Sequence, residues 1–257
     1  MKIAVVIRQV PDLIEPLEVD STGKALDLSS AAFVLNESDD HALEQALLLK
    51  EKHGGSVTVL GIDFGDVDSS LYAAAAKGAD QIIKLLWGDP NRTPPPQQAA
   101  PMYAEVLRPL GPDLVLVGVQ AHDELDGVLP AELAVCLGWP YVGVVRGVQA
   151  ANGKSLLVCK EFPGAVMAQF EVRLPAVLGI LGAEQPPRYV PVSRIRAAMK
   201  TASIAEQQVA VPPEAVRVEV ARLYPPAPTE RAEMLTGSPE EVASRIAALL
   251  EEKGLLR

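Results

Sequence analysis

Short apolar runs of strand length alternate along this chain with stretches of helical periodicity. The runs are rich in β-branched residues and do not alternate with polar ones, which is typical of strands buried on both faces of a sheet. They are Ile3–Val6, Ser56–Ile62, Gln81–Leu86, Asp113–Gly118 and Ala176–Leu181. Strands and helices in repeated succession predict an α/β fold with a doubly wound, mostly parallel sheet and right-handed crossovers.

Four helices are predicted between and after these runs. Apolar residues recur there at helical spacing, and Gly78 follows the second helix, as glycine commonly does one residue past a helix end. The predicted helices are His41–Lys52, Ser69–Lys77, Gln97–Leu110 and Gly127–Leu137.

Two segments interrupt the alternation and predict hairpin excursions. Leu17–Leu28 is the first of them. In the second, Val142–Ala150 and Ser155–Glu161 flank Asn152–Gly153, a residue pair that favours a type I′ turn.

The composition changes beyond Leu181, and three domains are predicted. Residues 1–184 form the α/β domain, 185–202 form a segment with one short cationic helix at Ser193–Thr201, and 203–257 form an extended C-terminal arm. The arm is rich in proline and contains one strand-like run, Val216–Leu223, before a capping box at Ser238 begins a last helix. The residues alone leave open whether this arm wraps a partner or packs on its own domain.

Charge and composition exclude several classes of protein. The 257 residues carry a formal net charge of −10 and no cationic tract, which argues against nucleic-acid binding and against docking on anionic membranes. The opening apolar run, interrupted at Arg8, is too short for a signal peptide or for membrane insertion. We therefore expect a cytoplasmic protein, or one of the mitochondrial matrix if it is eukaryotic.

The motifs of common catalytic and metal sites are absent from the sequence. There is no GxGxxG, GxxxxGK[ST] or HExxH motif, and the two cysteines, Cys136 and Cys159, form no CxxC pair. Both cysteines lie in apolar segments and are expected to be inert core residues, while His41 is expected to be solvated on a charged helix. We predict no catalytic residue and no metal ligand.

The loop after Asp113–Gly118 is the strongest candidate for a ligand site. Ligands of doubly wound sheets bind beyond the carboxyl ends of the strands, near helix N-termini. Gly118 and Gly127 permit close backbone approach, Gln120 can hydrogen-bond a polar edge, and Asn36 is expected in a neighbouring loop. Three carboxylates in the loop would repel a phosphate, so an ordinary acidic loop is the other interpretation, and the residues alone favour it.

Several short motifs carry a likeness to a known family. In chain order they are the opening strand with Arg8 and Asp12, Asn36 before the first helix, LEQALLLKEK at Leu43–Lys52, AAAAKGAD at Ala73–Asp80, DLVLVGVQAHD at Asp113–Asp123, GWP at Gly138–Pro140, KEF at Lys160–Phe162, LPAVLGI at Leu174–Ile180 and PPRYVPVSRIRAAMK at Pro186–Lys200. Each motif is weak alone, but their order and spacing together are specific. On these motifs the chain resembles the beta subunit of electron transfer flavoprotein, including its nitrogen-fixation relatives, across essentially its whole length.

This resemblance implies an adenine nucleotide α-hydrolase-like fold and an electron carrier that makes no bonds of its own. The carrier would be a heterodimer with an alpha subunit that holds most of one FAD. Flavoprotein dehydrogenases, such as acyl-CoA dehydrogenases, would reduce it, and a membrane quinone oxidoreductase would oxidise it. The beta subunit would bury a structural AMP, or a second FAD as in bifurcating relatives, and its C-terminal arm would wrap the alpha subunit.

The resemblance also implies where cofactors and partners bind. The cofactor-binding positions are Val6, Asn36, Glu37, Ser38, Asp39, Ile62, Gly118, Val119, Gln120, Ala121, His122, Asp123 and Leu129. The aromatic residues that many beta subunits set against the flavin correspond to Leu13 and Ser38. Val192 would anchor the carrier on its dehydrogenases, with Arg194 and Arg196 as a basic rim.

Two other classes of protein are alternatives to an electron carrier. A nucleotide-binding regulatory module of the universal-stress type would share the sheet without any flavin, although hairpins and a long arm do not suit a compact sensor. An adenylating or ammonia-ligating enzyme would require a Gly-rich SGGxDS-like loop after the first strand. The sequence Arg8–Asp12 (RQVPD) stands there instead, which disfavours that class.

Overall fold

A computed structural model gives the structure of the protein. It describes residues 1–14, 16–29, 31–211, 220–225 and 232–255. The chain divides into two compact units, Met1–Ala221 and Arg222–Arg257.

A nine-stranded sheet forms the centre of the first unit. Its strands follow the order β11-β5-β4-β1-β6-β10-β7-β8-β9, and all pair in parallel except β8 and β9, which form an antiparallel extension. The strand bounds are β1 Lys2–Ile7, β4 Ser56–Ile62, β5 Gln81–Leu86, β6 Leu114–Gly118, β7 Tyr141–Asn152, β8 Ser155–Phe162, β9 Val166–Arg173, β10 Ala176–Ile180 and β11 Ile204–Gln208. A separate antiparallel pair consists of β2 Gln9–Pro11 and β3 Phe33–Leu35.

Helices cover both faces of this sheet. The bounds are α1 Glu37–His53, α2 Val67–Lys77, α3 Pro96–Leu110, α4 Leu129–Leu137 and α5 Val192–Thr201, with α6 Pro239–Glu252 in the second unit. Alternate residues of β1 belong to two hydrophobic cores: Ile3 and Val5 pack with α1 and α2, whereas Ala4 and Val6 pack with α3 and α4. The predicted doubly wound α/β fold is confirmed.

Two helices begin at positions that differ from the prediction. Helix α1 begins at Glu37 instead of His41, so Glu37–Asp39 lie in its first turn and not in a loop. Helix α4 begins at Leu129 instead of Gly127, because Gly127 has a left-handed φ of 59° and Pro130 suits the first helical turn.

Both predicted hairpins form, but one turn differs. The first hairpin is an antiparallel bridge between Val19 and Leu26. In the second, Asn152 pairs with Ser155 across Gly153 and Lys154, and Gly153 lacks the positive φ that a type I′ turn requires. The Asn152 side chain instead accepts a hydrogen bond from the Lys154 backbone N–H at 2.8 Å, and a bulge interrupts the β7–β8 register beside it.

Strands β9 and β11 were not predicted. Only one residue of β9, Val172, is buried, so the strand is held by pairing with β8 and not by an apolar pattern that a sequence shows. Strand β11 (IAEQQ) is a polar edge strand that pairs with β5 and places Glu206 3.1 Å from Lys84. The arm assigned from residue 203 onward therefore begins with a strand of the main sheet.

The remaining arm predictions have mixed outcomes. The predicted run Val216–Leu223 begins outside the described residues, and its described part, residues 220–223, is not in a strand. The capping box of α6 is confirmed: Ser238 Oγ accepts from the Glu241 N–H at 3.3 Å, and the Glu241 carboxylate accepts from the Ser238 N–H at 2.8 Å.

Two truncations test the boundary that β11 implies. A chain that ends at Ala221 retains β11 and the buried Val209, and we expect a cooperative thermal transition for it. A chain that ends at Thr201 loses both, and burial of Val209 alone is worth roughly 1.5–3 kcal/mol. We expect calorimetry to give the shorter chain a Tm lower by about 4 °C or more. Equal Tm values would show that β11 contributes nothing to the fold.

Candidate functional site

The crossovers change direction at β1, and the candidate site lies there. Along the chain, β4 and β5 are added on one side of β1, whereas β6 and β10 are added on the other. Ligands of doubly wound proteins bind at such a switch point, outside the carboxyl ends of the strands. Here those ends are Ile7 in β1 and Gly118 in β6.

A buried ion pair joins the two sides of this switch point. Arg8, directly after β1, donates from Nε to Asp39 Oδ2 at 3.0 Å and from Nη2 to Asp39 Oδ1 at 2.9 Å. The Asp39 side chain is fully buried, and that of Arg8 is 10% exposed. Burial opposes the charge of Arg8, but Asp39 and Glu124 outweigh it and raise the pKa of the guanidinium above its ordinary value.

Asp39 also accepts two backbone hydrogen bonds, which fixes α1 against the sheet. The Arg8 N–H donates to its Oδ2 at 2.9 Å, and the Gly118 N–H donates to its Oδ1 at 2.8 Å. A side chain at Gly118 would not fit, since a Cβ there would lie 2.3 Å from Asp39 Oδ1 and 2.7 Å from the Asp39 backbone nitrogen. The first turn of α1 therefore packs directly against the Gly118 backbone, in the space that a side chain at position 118 would need.

The loop that follows β6 is hydrogen-bonded to the segment after β1 and to the residue before α1. Asn36 donates from its side chain to the Gln120 carbonyl at 3.1 Å, and Gln120 donates to the Glu124 carbonyl at 2.9 Å. His122 Nε2 lies 2.8 Å from the Pro11 carbonyl oxygen. Glu124 Oε2 accepts from Arg8 Nη1 at 2.9 Å, which completes an Asp39–Arg8–Glu124 cluster.

A cleft opens beside this cluster, above the α3 and α4 face of the sheet. Its lining residues are Ile7, Arg8, Gln9, Ile62, Phe64, Thr93, Pro94, Ala99, Tyr103, Glu124 and Leu129. Arg8 is the one cationic side chain among them. Tyr103 is fully buried, and burial raises the pKa of its phenol, so the hydroxyl stays protonated as a hydrogen-bond donor. The cleft combines apolar walls with one guanidinium and a carboxylate.

The structure brings most of the predicted cofactor-binding residues to this edge of the sheet. Asn36, Asp39, Gly118 and Gln120 are joined there by the hydrogen bonds above, and Ile62 and Leu129 line the cleft. The side chain of Val6 is wholly buried in the core between the sheet and α3, so only its backbone could face a ligand. The others are buried Ala121, half-buried Ser38 and Val119, and exposed Glu37, His122 and Asp123.

Sequence reasoning missed several residues of this site. Arg8 entered only as part of a motif, Glu124 only as one of the three loop carboxylates expected to repel a phosphate, and Phe64 and Tyr103 not at all. The position of Arg8 directly after the central strand was the available signal, because a cation at the carboxyl edge of a parallel sheet meets the ligand position. Nothing in the sequence indicates that Glu124, 116 residues further along, is its partner.

The segment predicted to contact partners is clamped to α1. Arg188 donates from Nε and Nη2 to both carboxylate oxygens of Glu44 at 2.8–3.1 Å and from Nη1 to Glu51 at 2.6 Å. His41 accepts from the Ala183 N–H at 3.3 Å, so its expected solvated role is corrected to a structural one. Arg188, which makes these contacts, lies shortly before the first residue of α5.

Val192 is the first residue of α5 and is 60% exposed. Arg194 and Arg196 are also exposed. The helix contains no buried residue, and α2 is the element against which it mainly packs. The first turns of α5 thus expose one apolar side chain and two arginines on the surface.

Two further features bear on the chemistry of the site. No group of three or more His, Cys, Asp or Glu side chains within the described residues is arranged to hold a metal ion. The cysteines are half-buried instead of lying in the core, and burial raises the pKa of the Cys136 thiol, which keeps it protonated.

Fold and site together define a parallel α/β protein with a ligand cleft at the carboxyl edge of its sheet. The family model described as electron transfer flavoprotein domain matches residues 25–214. The electron transfer flavoprotein subunit beta of Methylophilus methylotrophus is 31% identical over 263 residues, covering 98% of each chain. That of Clostridium acetobutylicum is 30% identical over 198 residues, 76% of this chain and 74% of the relative, and that of Bacillus subtilis is 25% identical over 260 residues, 98% of each.

The chain belongs to the electron transfer flavoprotein family, as its motifs predicted. This membership supports a role in electron transfer with a flavin. Across the described residues, no helix is both long and apolar enough to cross a membrane.

Replacing Asp39 with Asn tests the buried ion pair. Asp39→Asn leaves the Arg8 charge buried with only Glu124 beside it, and breaking a buried pair costs about 3–5 kcal/mol. We expect urea unfolding to show a loss of that size in the free energy of unfolding. Glu37→Gln, an exposed acid two residues earlier in the same helical turn, serves as the control and should change stability by less than about 0.5 kcal/mol. Equal stabilities of the two variants would contradict this account.

Proposed function

We propose that this chain is the beta subunit of a heterodimeric electron transfer flavoprotein. The observation that carries the proposal is the match to beta subunits over 98% of both chains, and a cleft at the carboxyl edge of the sheet supports a bound nucleotide. The heterodimer carries electrons from flavoprotein dehydrogenases, such as acyl-CoA dehydrogenases, to a quinone oxidoreductase. The contribution of this chain is to position a carrier, not to make or break bonds.

The flavin is shared with the alpha subunit, which holds most of it. FAD, when bound, stores and releases the transferred electrons. In this chain, Leu13 and Ile14 follow β2 and are 61% and 87% exposed. Two adjacent aliphatic side chains in water are unfavourable, and burial against a second subunit or a flavin would relieve that cost. Leu13 occupies the position at which the family resemblance implies a flavin contact.

The cleft suits an AMP in part. Its apolar walls, which include Ile62, Phe64 and Leu129, match an adenine ring, and Arg8 matches a phosphate. The N-terminus of α4 adds a favourable dipole, although Pro130 in its first turn lacks an N–H. Of the predicted cofactor-binding residues, Ile62 and Leu129 line the cleft, and Asp39 is paired with Arg8, which also lines it. AMP is accordingly a structural nucleotide here, separate from the electron path.

Docking of dehydrogenases is assigned to α5. Val192 provides a small apolar anchor, and Arg194 and Arg196 provide a basic rim, a pattern typical of transient interfaces. The Arg188 clamp fixes this segment to α1, so the anchor is presented from a rigid base. Wrapping of the alpha subunit is assigned to the part of the predicted C-terminal arm that follows β11.

A regulatory module of the universal-stress type, without flavin, was the competing function. Family membership and full-length coverage by beta-subunit relatives do not support it. The antiparallel β7–β9 extension is a further feature that a compact nucleotide sensor does not need.

Nucleotides released from the purified complex test the proposal. We expect the chain to co-purify with an alpha subunit and denaturation to release one FAD and one AMP per heterodimer, measured by chromatography and absorbance. Two FAD would replace the AMP assignment with a bifurcating flavin. ATP without any flavin would contradict the proposed function and favour a sensor.

Shortening Val192 tests the docking assignment. Val192→Ala removes an exposed anchor without touching the core, so reduction of the heterodimer by its dehydrogenase should slow about fivefold or more. The flavin spectrum and flavin content should not change. Val135→Ala, the same change at an 81% exposed position on α4, should leave the rate unaltered. Loss of flavin in the Val192 variant would show that the residue serves cofactor binding instead.

A further inference from the structure

The Asp39–Arg8–Glu124 cluster contains one more negative charge than positive charges. Arg8 contributes one positive charge, and Asp39 and Glu124 contribute two negative charges. Asp39 alone balances the charge of the guanidinium, with Nε and Nη2 donating to its two oxygens, and Nη2 also donates to the Gly118 carbonyl at 2.9 Å. Glu124 is therefore a second anion on a cation that is already paired.

The two carboxylates are not equally fixed. Asp39 lies in the first turn of α1, is fully buried, and accepts two backbone N–H groups in addition to Arg8. Glu124 lies between β6 and α4 in a loop without regular structure, and its side chain is 16% exposed. The hydrogen bond to Arg8 Nη1 is the one contact that the described residues provide for its carboxylate. Glu124 can leave the cluster without disturbing the sheet, whereas Asp39 cannot.

Arg8 and Glu124 both line the cleft, so the carboxylate of Glu124 holds the anion position that the cleft offers. A phosphate next to the intact cluster would meet a net negative charge in a partly buried place, where like charges repel strongly. If a phosphate instead took the place of the Glu124 carboxylate at Arg8 Nη1, one anion would be exchanged for another. A ligand without a phosphate would not be repelled by the cluster.

From these contacts we propose that Glu124 is an internal competitor for the phosphate of a nucleotide in this cleft, and that a nucleotide monophosphate binds only by displacing Glu124 from Arg8. This inference rests on the proposed AMP site. In this arrangement Glu124 determines the affinity for the phosphate, and the apolar walls of the cleft recognise the base. The loop from Val119 to Val128 then changes conformation when the nucleotide binds.

Calorimetric titration of the full-length chain with AMP and with adenosine tests the competition. Glu124→Gln keeps the shape of the side chain but removes the competing charge. A hydrogen bond to a charged group is worth about ten- to hundredfold in affinity, so AMP should bind the variant about tenfold or more tightly than the unchanged chain. Adenosine affinity should change by less than about threefold, because adenosine lacks the competing group.

Asp126→Asn is the matched control. Asp126 is an exposed acid two residues further along the same loop, so this variant removes the same charge without touching Arg8. Its AMP affinity should stay within about threefold of the unchanged chain, as expected for a screened surface charge. An equal gain in AMP affinity in both variants would overturn the competition while leaving the nucleotide site intact. An unaltered ratio of AMP to adenosine affinity in the Glu124→Gln chain would do the same. If neither AMP nor adenosine binds any of the three chains, the AMP site itself is refuted, and the competition with it.

Discussion

The ion pair between Arg8 and Asp39 is the constraint on which the rest of this molecule depends. One carboxylate holds the guanidinium that follows β1, the N–H of that same residue, and the N–H of Gly118 at the end of β6. The central strand, its neighbour and the first helix therefore meet at one buried side chain. Because an unpaired buried charge is costly, this side chain stabilises the packing of all three elements against one another.

Helix α1 extends this constraint across the molecule. Its first turn carries Asp39, and further along the same helix Glu44 holds Arg188, which precedes the exposed Val192. The cleft and the proposed docking helix are thus mounted on one rigid element. A carrier subunit benefits from this arrangement, since electron transfer depends on the distance between cofactors that the protein positions and not on groups that react.

The sequence predicted the architecture well, because the central strands β1, β6 and β10 are almost wholly apolar, as burial on both faces demands. It missed β9 and β11, whose exposed residues follow no apolar pattern and which exist because a neighbouring strand offers hydrogen-bond partners. In the site, Gly118, Gln120 and Asn36 could be anticipated from their place after strands. The pairing of Arg8 with Glu124 could not, since it joins two loops that only the folded sheet brings together.

The proposed function requires that this chain holds an electron carrier and performs no chemistry on substrates itself. The decisive experiment mixes the flavin-loaded heterodimer with an acyl-CoA substrate under anaerobic conditions, with and without the cognate acyl-CoA dehydrogenase, while the flavin absorbance is followed. We expect the heterodimer flavin to be bleached only when the dehydrogenase is present. Bleaching by the substrate alone would refute the proposed function.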